Sequence, residues 1–236
     1  MSINPIIERP TGPSGRRAGE VLERLRFDIL SMRLAPGEVL SERRLKDIYE
    51  ASRTPIREAL FQLEAEGLVV RSDRAQTVAP FDLAEIDEAF AFRDVVEPTA
   101  VRLAATHGTL DDLARIQTEI DAGHAAFTPA GWLELGLDFH VRVAELSGNR
   151  CVVAAMRDVT LRTIRARWLA ITSDDDRQMT YDEHSEILAL LRDRRAEDAV
   201  DATRRHAAKV RLEVLSALEN SRPILGRRSF IDSEGA

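Results

Sequence analysis

Between Ala18 and Met32 apolar residues fall at Val21, Leu22, Leu25, Ile29 and Leu30, the three-and-four spacing of one helical face. Leu34-Ala35-Pro36-Gly37 breaks that pattern and makes a turn. A second, shorter helix is predicted from Ser41, a suitable N-cap, through Leu45 and Ile48. A third starts at Ser52 and carries Pro55 in its first turn, where a missing N–H costs little. Its inward face is Ile56, Ala59, Leu60 and Leu63, and Gly67 is placed to end it. Leu68-Val69-Val70 and Thr77-Val78-Ala79 then read as two short strands around the polar turn Ser72-Asp73-Arg74-Ala75-Gln76. Three helices followed by a hairpin is the order of a winged helix-turn-helix, and Pro80 closes it.

Beyond Pro80 the spacing is helical almost throughout, with breaks near Gly108, Thr128-Pro129, Ser147-Gly148, Ser173-Asp174-Asp175-Asp176 and Arg194. That predicts about six helices joined by short connections, an all-α bundle. The expected fold class is therefore mainly α: a winged helix-turn-helix over residues 18–80, then an all-α helical domain over 81–220. Residues 1–17, rich in Pro, Gly and Arg and without periodicity, read as a flexible extension, and residues 221–236 as a polar tail.

Composition narrows the class. Of 236 residues 44% are hydrophobic and 31% charged, which excludes wholesale disorder. No run approaches the roughly 20 apolar residues of a membrane span, and residues 1–17 hold no apolar core of a secretory signal. The single cysteine, Cys151, excludes an internal disulfide and fits a cytoplasmic setting. Net charge is −7, yet residues 1–80 hold 13 Lys and Arg against 12 Asp and Glu, so the acidic excess lies in the remainder. A near-neutral N-terminal domain still binds DNA when its arginines share one face.

Arg53 and Arg57 do share one. Four residues apart on the third helix, they project opposite its apolar stripe. The planar arginine fork donates two hydrogen bonds together to O6 and N7 of guanine. Ser52 and Thr54, at the helix N-terminus, are suited to phosphate oxygens, and Arg43 to the flanking backbone. Taken singly, each arginine reads equally well as surface charge. The set gains specificity from its surroundings. Leu34-Ala35-Pro36-Gly37-Glu38-Val39-Leu40-Ser41-Glu42-Arg43-Arg44-Leu45, then Ser52-Arg53-Thr54-Pro55-Ile56-Arg57-Glu58-Ala59-Leu60, then Leu63 and Glu66-Gly67-Leu68-Val69, closely resembles the DNA-binding domain of GntR-family regulators. The resemblance covers roughly residues 20–80 and implies a major-groove recognition helix, a minor-groove wing and a homodimer on a palindromic double-stranded DNA operator. Carried across, the implied contacts are Arg43, Ser52, Arg53, Thr54 and Arg57, with Arg74 on the wing. Two positions depart from the family pattern: Tyr49-Glu50-Ala51 replaces a turn glycine, and Ala75 replaces a wing-tip glycine.

Residues 82–220 resemble the helical, FCD-type effector domain of the FadR branch of that family, the ligand-binding and dimerisation part. The matching residues are Arg93, Glu97-Pro98, Ala100 and Leu103-Ala104-Ala105, then Phe139-His140, Ala144 and Ser147-Gly148-Asn149, then Glu183-His184, Ile187 and His206. The resemblance implies a divalent metal of the zinc or nickel type held by His140, His184 and His206 with an aspartate, and a small carboxylate-bearing effector, an organic acid or sugar acid. Position 136, where the aspartate is expected, is Gly136; Asp138 points to another side of the helix and Glu134 lies too far back. Arg93 is suited to clamp a carboxylate with two bonds. Asn149 either supports the ligand pocket or caps the next helix; Arg162 and Arg165 face either the cavity or solvent. Trp132 and Trp168 read as core or dimer interface, and His107 and His124 as surface or helix-end residues.

The function that follows is a ligand-responsive transcriptional regulator, in the family's usual direction a repressor. The alternative is a metal-dependent hydrolase or lyase whose winged domain is an interaction module. Against it, the sequence holds neither a G-x-S-x-G nucleophile motif nor a phosphate-binding glycine loop.

Overall fold

The computed structural model describes residues 13–71, 75–125, 139–170 and 174–231. The chain divides into two compact units, one built from the residues up to Asp82 together with those from Ser221, the other from Leu83 to Asn220.

In the first unit, α1 (Pro13–Leu30) buries Val21, Leu22, Leu25, Ile29 and Leu30 and packs on α3 (Arg53–Ala65), whose buried face is Pro55, Ile56, Ala59, Leu60 and Leu63. These are the stripes that the periodicity marks. The intervening α2 (Glu42–Tyr49) differs in one position. Its buried pair is Leu45 and Tyr49, one turn apart, whereas Ile48 is exposed. Tyr49 is drawn in because its hydroxyl donates to Asp28 on α1 at 2.7 Å. Ser41 and Ser52 hold the two N-cap positions, but neither side chain makes a capping hydrogen bond.

The wing pairs β1 (Val69–Arg71) with β2 (Gln76–Val78), antiparallel, with Val69 opposite Val78. Residues 38–40 line the other edge of β2: Leu40 N–H donates to Gln76 at 2.8 Å and Val78 N–H to Glu38 at 2.9 Å. The stretch before α2 is thus a third, single-bridge edge of the wing, Val39 lying opposite Thr77. Arg74 at the wing tip lies outside the described residues.

In the second unit, α4 (Leu83–His107) packs on α7 (Arg150–Ala170), and α5 (Leu110–Ala125) on α8 (Asp174–Arg192). A helical segment over residues 139–145 (α6) supplies Phe139 and Val143 to a core shared with Val101, Ala104, Leu113, Ile116, Leu188, Leu191 and Val200. The last helix, α9, runs Ala196–Leu225. The break at Thr128-Pro129 lies outside the described residues, as do Trp132, Glu134, Gly136 and Asp138. Among the described residues no helix is long and apolar enough to cross a membrane. The polar stretch from residue 221, read from sequence as a tail, is helical to Leu225 and then turns through Arg227–Ser229 to bury Phe230 against Phe81.

Glu50 occupies the position where the family pattern has glycine, and it takes the left-handed conformation that favours one, with φ 51° and ψ 41°. Its N–H still closes α2 by donating to the Lys46 carbonyl. A side chain there is strained because Cβ crowds the following carbonyl. Glu50→Gly is expected to stabilise the first unit by about 0.5–1 kcal/mol, the relief of strain exceeding the extra freedom of the unfolded chain. Urea denaturation checks this; a loss of stability would show that Glu50 is held by contacts that outweigh its backbone.

Candidate nucleic-acid interface and buried histidine centre

Along α3 the side opposite the buried stripe carries Arg53, Thr54 and Arg57, all exposed, with exposed Ser52 just before the helix. Because Ser52 makes no capping bond, its hydroxyl is available to an incoming phosphate. Arg43 is exposed on α2, beside an open groove that also holds Ser41, Arg44, Asp47 and Ile48. Arg57 Nε lies 3.6 Å from Glu42 on α2. At that distance and exposure the pair is a weak restraint that a guanine edge can replace. Five of the six residues singled out for DNA contact are therefore described, and all five are exposed on one unit.

The other cluster is buried. Arg93 and Glu97, one turn apart on α4, form a two-bond ion pair: Nε to Oε2 at 2.6 Å and Nη2 to Oε1 at 3.2 Å. The same Glu97 Oε1 accepts from Nδ1 of His140 at 2.6 Å. That leaves Nε2 of His140 as an acceptor, with Arg93 Nη2 3.0 Å away. Nδ1 of His206 donates to Glu183 Oε2 at 2.7 Å, and Lys209 Nζ donates to the other oxygen of Glu183 at 2.7 Å. His184 stacks face to face on Phe139, with ring centroids 3.8 Å apart. Three imidazoles from α6, α8 and α9 thus converge, and one nitrogen from each lies within 4.8 Å of the others.

Electrostatics keep these rings neutral. Burial lowers the pKa of His140 and His184 well below the ordinary histidine value, and the Arg93 charge adds to it at His140. His206 is lowered too, by burial against the opposing pull of Glu183. Burial resists ionisation of Glu97, but Arg93 and His140 overcome it and hold the carboxyl well below the usual range. A neutral ring with a free nitrogen is the form that binds a metal ion. Nε2 of His184 and Nε2 of His206 are both buried and without a hydrogen-bond partner, as is Nη1 of Arg93. Buried polar atoms left orphaned in this way are costly, and a cation on the two nitrogens with an anion on Nη1 would satisfy them together. The donor set suits zinc, nickel or a similar ion. Among the described residues no carboxylate or thiol joins the three histidines.

Asn149 belongs elsewhere. Its Oδ1 accepts from the N–H groups of Cys151 at 3.0 Å and Val152 at 3.3 Å, so it caps α7 and is exposed; of the two roles open to it, the structure gives it the cap. Arg162 faces solvent, paired with Glu85 and Asp158. Arg165 is buried, and burial lowers its pKa to about 10. His107 Nδ1 lies 2.9 Å from the Ser147 carbonyl, and His124 stacks on Tyr181. Three participants escape the sequence reading. Glu97 appears there only as a matching residue, Glu183 only as the neighbour of His184, and Arg167 not at all. Arg167 is buried, and burial together with the Arg93 charge lowers its pKa to about 9. The i,i+4 spacing of Arg93 and Glu97 is the one signal that was readable in advance.

Comparison with known proteins agrees with this division. The family profile described as FCD domain matches residues 88–209, and that described as bacterial regulatory proteins, gntR family, matches residues 17–78. The Nta operon transcriptional regulator of Aminobacter aminovorans is 28% identical over 190 residues, covering 76% of this chain and 86% of that protein. The HTH-type transcriptional repressor RspR of Escherichia coli (strain K12) is 22% identical over 205 residues, covering 85% and 89%. Among solved structures, a GntR-type transcriptional regulator from Rhodococcus sp. RHA1 superposes with a TM-score of 0.71 at 23% identity, covering 86% of this chain and 99% of that one. At that identity the likeness speaks to the fold alone.

Removing Glu97 leaves the Arg93 guanidinium buried without its counter-charge. Glu97→Ala is accordingly expected to destabilise the helical unit by about 3 kcal/mol or more. Chemical denaturation followed by circular dichroism measures it, and a change below about 1 kcal/mol would show that water or the neighbouring groups replace the carboxylate.

Proposed function

The chain belongs to the GntR family of bacterial transcriptional regulators and carries an FCD effector domain, and from that premise we propose that it is a repressor binding a palindromic operator as a homodimer and released by a small carboxylate-bearing effector. Members of the family are transcriptional regulators, and the hydrolase or lyase alternative is set aside on that ground. The direction of regulation is taken from RspR, a transcriptional repressor. One observation carries the sensing part: three neutral imidazoles converge beside a buried guanidinium, and each side of that junction presents polar atoms without a partner.

In this reading Arg53 and Arg57 read base edges while Arg43, Ser52, Thr54 and, on the wing, Arg74 hold the phosphate backbone. His140, His184 and His206 hold a divalent ion, which when bound supplies a Lewis-acidic point for one carboxylate oxygen. Glu97 and Glu183 fix the Nδ1–H tautomers of His140 and His206, which turns each Nε2 inward. Arg93 Nη1 donates to the effector's carboxylate, the buried position making that charge-assisted bond strong. The effector, an organic acid or sugar acid, shifts the equilibrium between DNA-competent and incompetent states by its difference in affinity for the two.

Two substitutions test the two halves. On the best fragment selected from genomic DNA, Arg53→Ala is expected to cost about 1–3 kcal/mol of specific binding and to relax preference at one base pair of each half-site. Unchanged affinity and unchanged sequence preference in a gel-shift series would remove Arg53 from the recognition surface. His184→Ala is expected to abolish most zinc uptake while the helical content stays intact. Elemental analysis of the two purified proteins after zinc loading decides it, equal zinc content overturning the assignment.

A further inference from the structure

The three imidazoles of the buried centre are not held in the same way. Nδ1 of His140 donates to Glu97 at 2.6 Å and Nδ1 of His206 to Glu183 at 2.7 Å, so a carboxylate orients each of these rings. Among the described residues no hydrogen bond or ion pair does this for His184, whose Nε2 is buried and without a partner. The second side-chain torsion of a histidine is broad and roughly two-fold. A ring without a hydrogen bond therefore turns until something flat stops it.

What lies against His184 is Phe139. The two rings are stacked, with centroids 3.8 Å apart and planes 9° from parallel. Phe139 is buried in a core with Val101, Leu113, Val143, Ile187 and Leu188, so it cannot swing away from the stack. Adjacent residues on a helix point about 100° apart, and α6 thus delivers His140 to the centre while laying Phe139 beside it against α8. The same phenyl meets His140 edge-on, with centroids 5.1 Å apart at 81°. In the plane that Phe139 imposes, the His184 ring crosses that of His140 at 89° and that of His206 at 63°.

The stack has an electronic side as well. Two neutral rings prefer an offset or edge-on arrangement with their centroids farther apart than this. An imidazole that gives a lone pair to a cation becomes electron-poor, and the negative face of a phenyl then attracts it. The parallel contact accordingly suits a metal-bound His184 better than a free one.

We propose that Phe139 is a positioning residue of the centre: its stack fixes the plane of the His184 ring, as Glu97 and Glu183 fix the other two by hydrogen bonds, and so raises affinity for a divalent ion. The proposal rests on the metal reading above, and the experiment tells the failure of one from the failure of the other.

Zinc affinity is measured by chelator competition on full-length, metal-free wild type, Phe139→Leu, Phe139→Met and Leu113→Ala, with urea denaturation of each. Leucine and methionine fill most of the space of the phenyl but offer no flat face. Leu113→Ala opens a cavity in the same core and leaves the stack untouched. Both Phe139 variants are expected to bind zinc about tenfold more weakly than wild type, as when a group that orients a metal ligand is removed. Leu113→Ala is expected to keep wild-type zinc affinity although its urea midpoint falls at least as far. Either Phe139 variant decides the matter if the other does not fold. Wild-type zinc affinity in the Phe139 variants overturns the proposal. So does an equal loss in Leu113→Ala, which would mean that the core as a whole, and not the stack, supports the centre. If wild type itself takes up no zinc, the metal reading fails, and this role of Phe139 fails with it.

Discussion

Burying a guanidinium requires that its charge be met inside the protein, and Arg93 has no exposed surface at all. The helical unit is arranged around that requirement. Glu97 is the nearest answer, one turn along the same helix, and it stays ionised despite burial because Arg93 and His140 face it. The carboxylate's second task, accepting from Nδ1 of His140, then fixes which nitrogen of that ring is the acceptor. The positive charge of Arg93 also helps keep the imidazoles neutral. One ion pair therefore sets the tautomer of one histidine and adds to the burial that keeps several neutral. Glu183 repeats the arrangement for His206, with Lys209 in the role of the cation.

The DNA-binding unit is constrained differently. Its exposed arginines on α3, Arg53 and Arg57, need no buried partner, because they stand in water. What they need is a rigid back, supplied by α3 burying Pro55, Ile56, Ala59, Leu60 and Leu63 against α1. The same helix thus packs on one side and presents exposed arginines on the other, and the two sets of residues do not overlap. In the helical unit they do overlap: Arg93, Glu97 and the histidines are at once core and site. Substitution in the first unit can separate function from stability; in the second it rarely will.

This contrast explains what was legible in the sequence. The stripes of α1 and α3, the turn at Pro36-Gly37 and the cap position at Ser52 are local patterns, and local patterns are what periodicity reports. The exposed arginines of α3 followed directly, being whatever the stripe left over. Legibility ended where partners are distant. Glu183 stands next to His184 in sequence yet serves His206, twenty-three residues on, because neighbouring positions on a helix point apart by about 100°. Ile48 and Tyr49 exchanged places because a hydroxyl found Asp28 on another helix. The end of the chain looked like a tail because Arg, Gly and Pro dominate its composition; the single Phe230 that docks it forms no period to detect.

Val200 and His206 lie on one uninterrupted helix, six residues apart, the first packed in the core and the second in the histidine centre. Inserting or deleting a single residue between them would rotate everything beyond it by about 100° and shift it by about 1.5 Å along the axis. Nδ1 of His206 would then turn away from Glu183 while Val200 stayed packed in its core. Point substitutions along the solvent side of this stretch are cheap by comparison. The length of that stretch is thus fixed by packing, tolerant in spelling and intolerant in count, and gain or loss of residues there would have to come in whole turns.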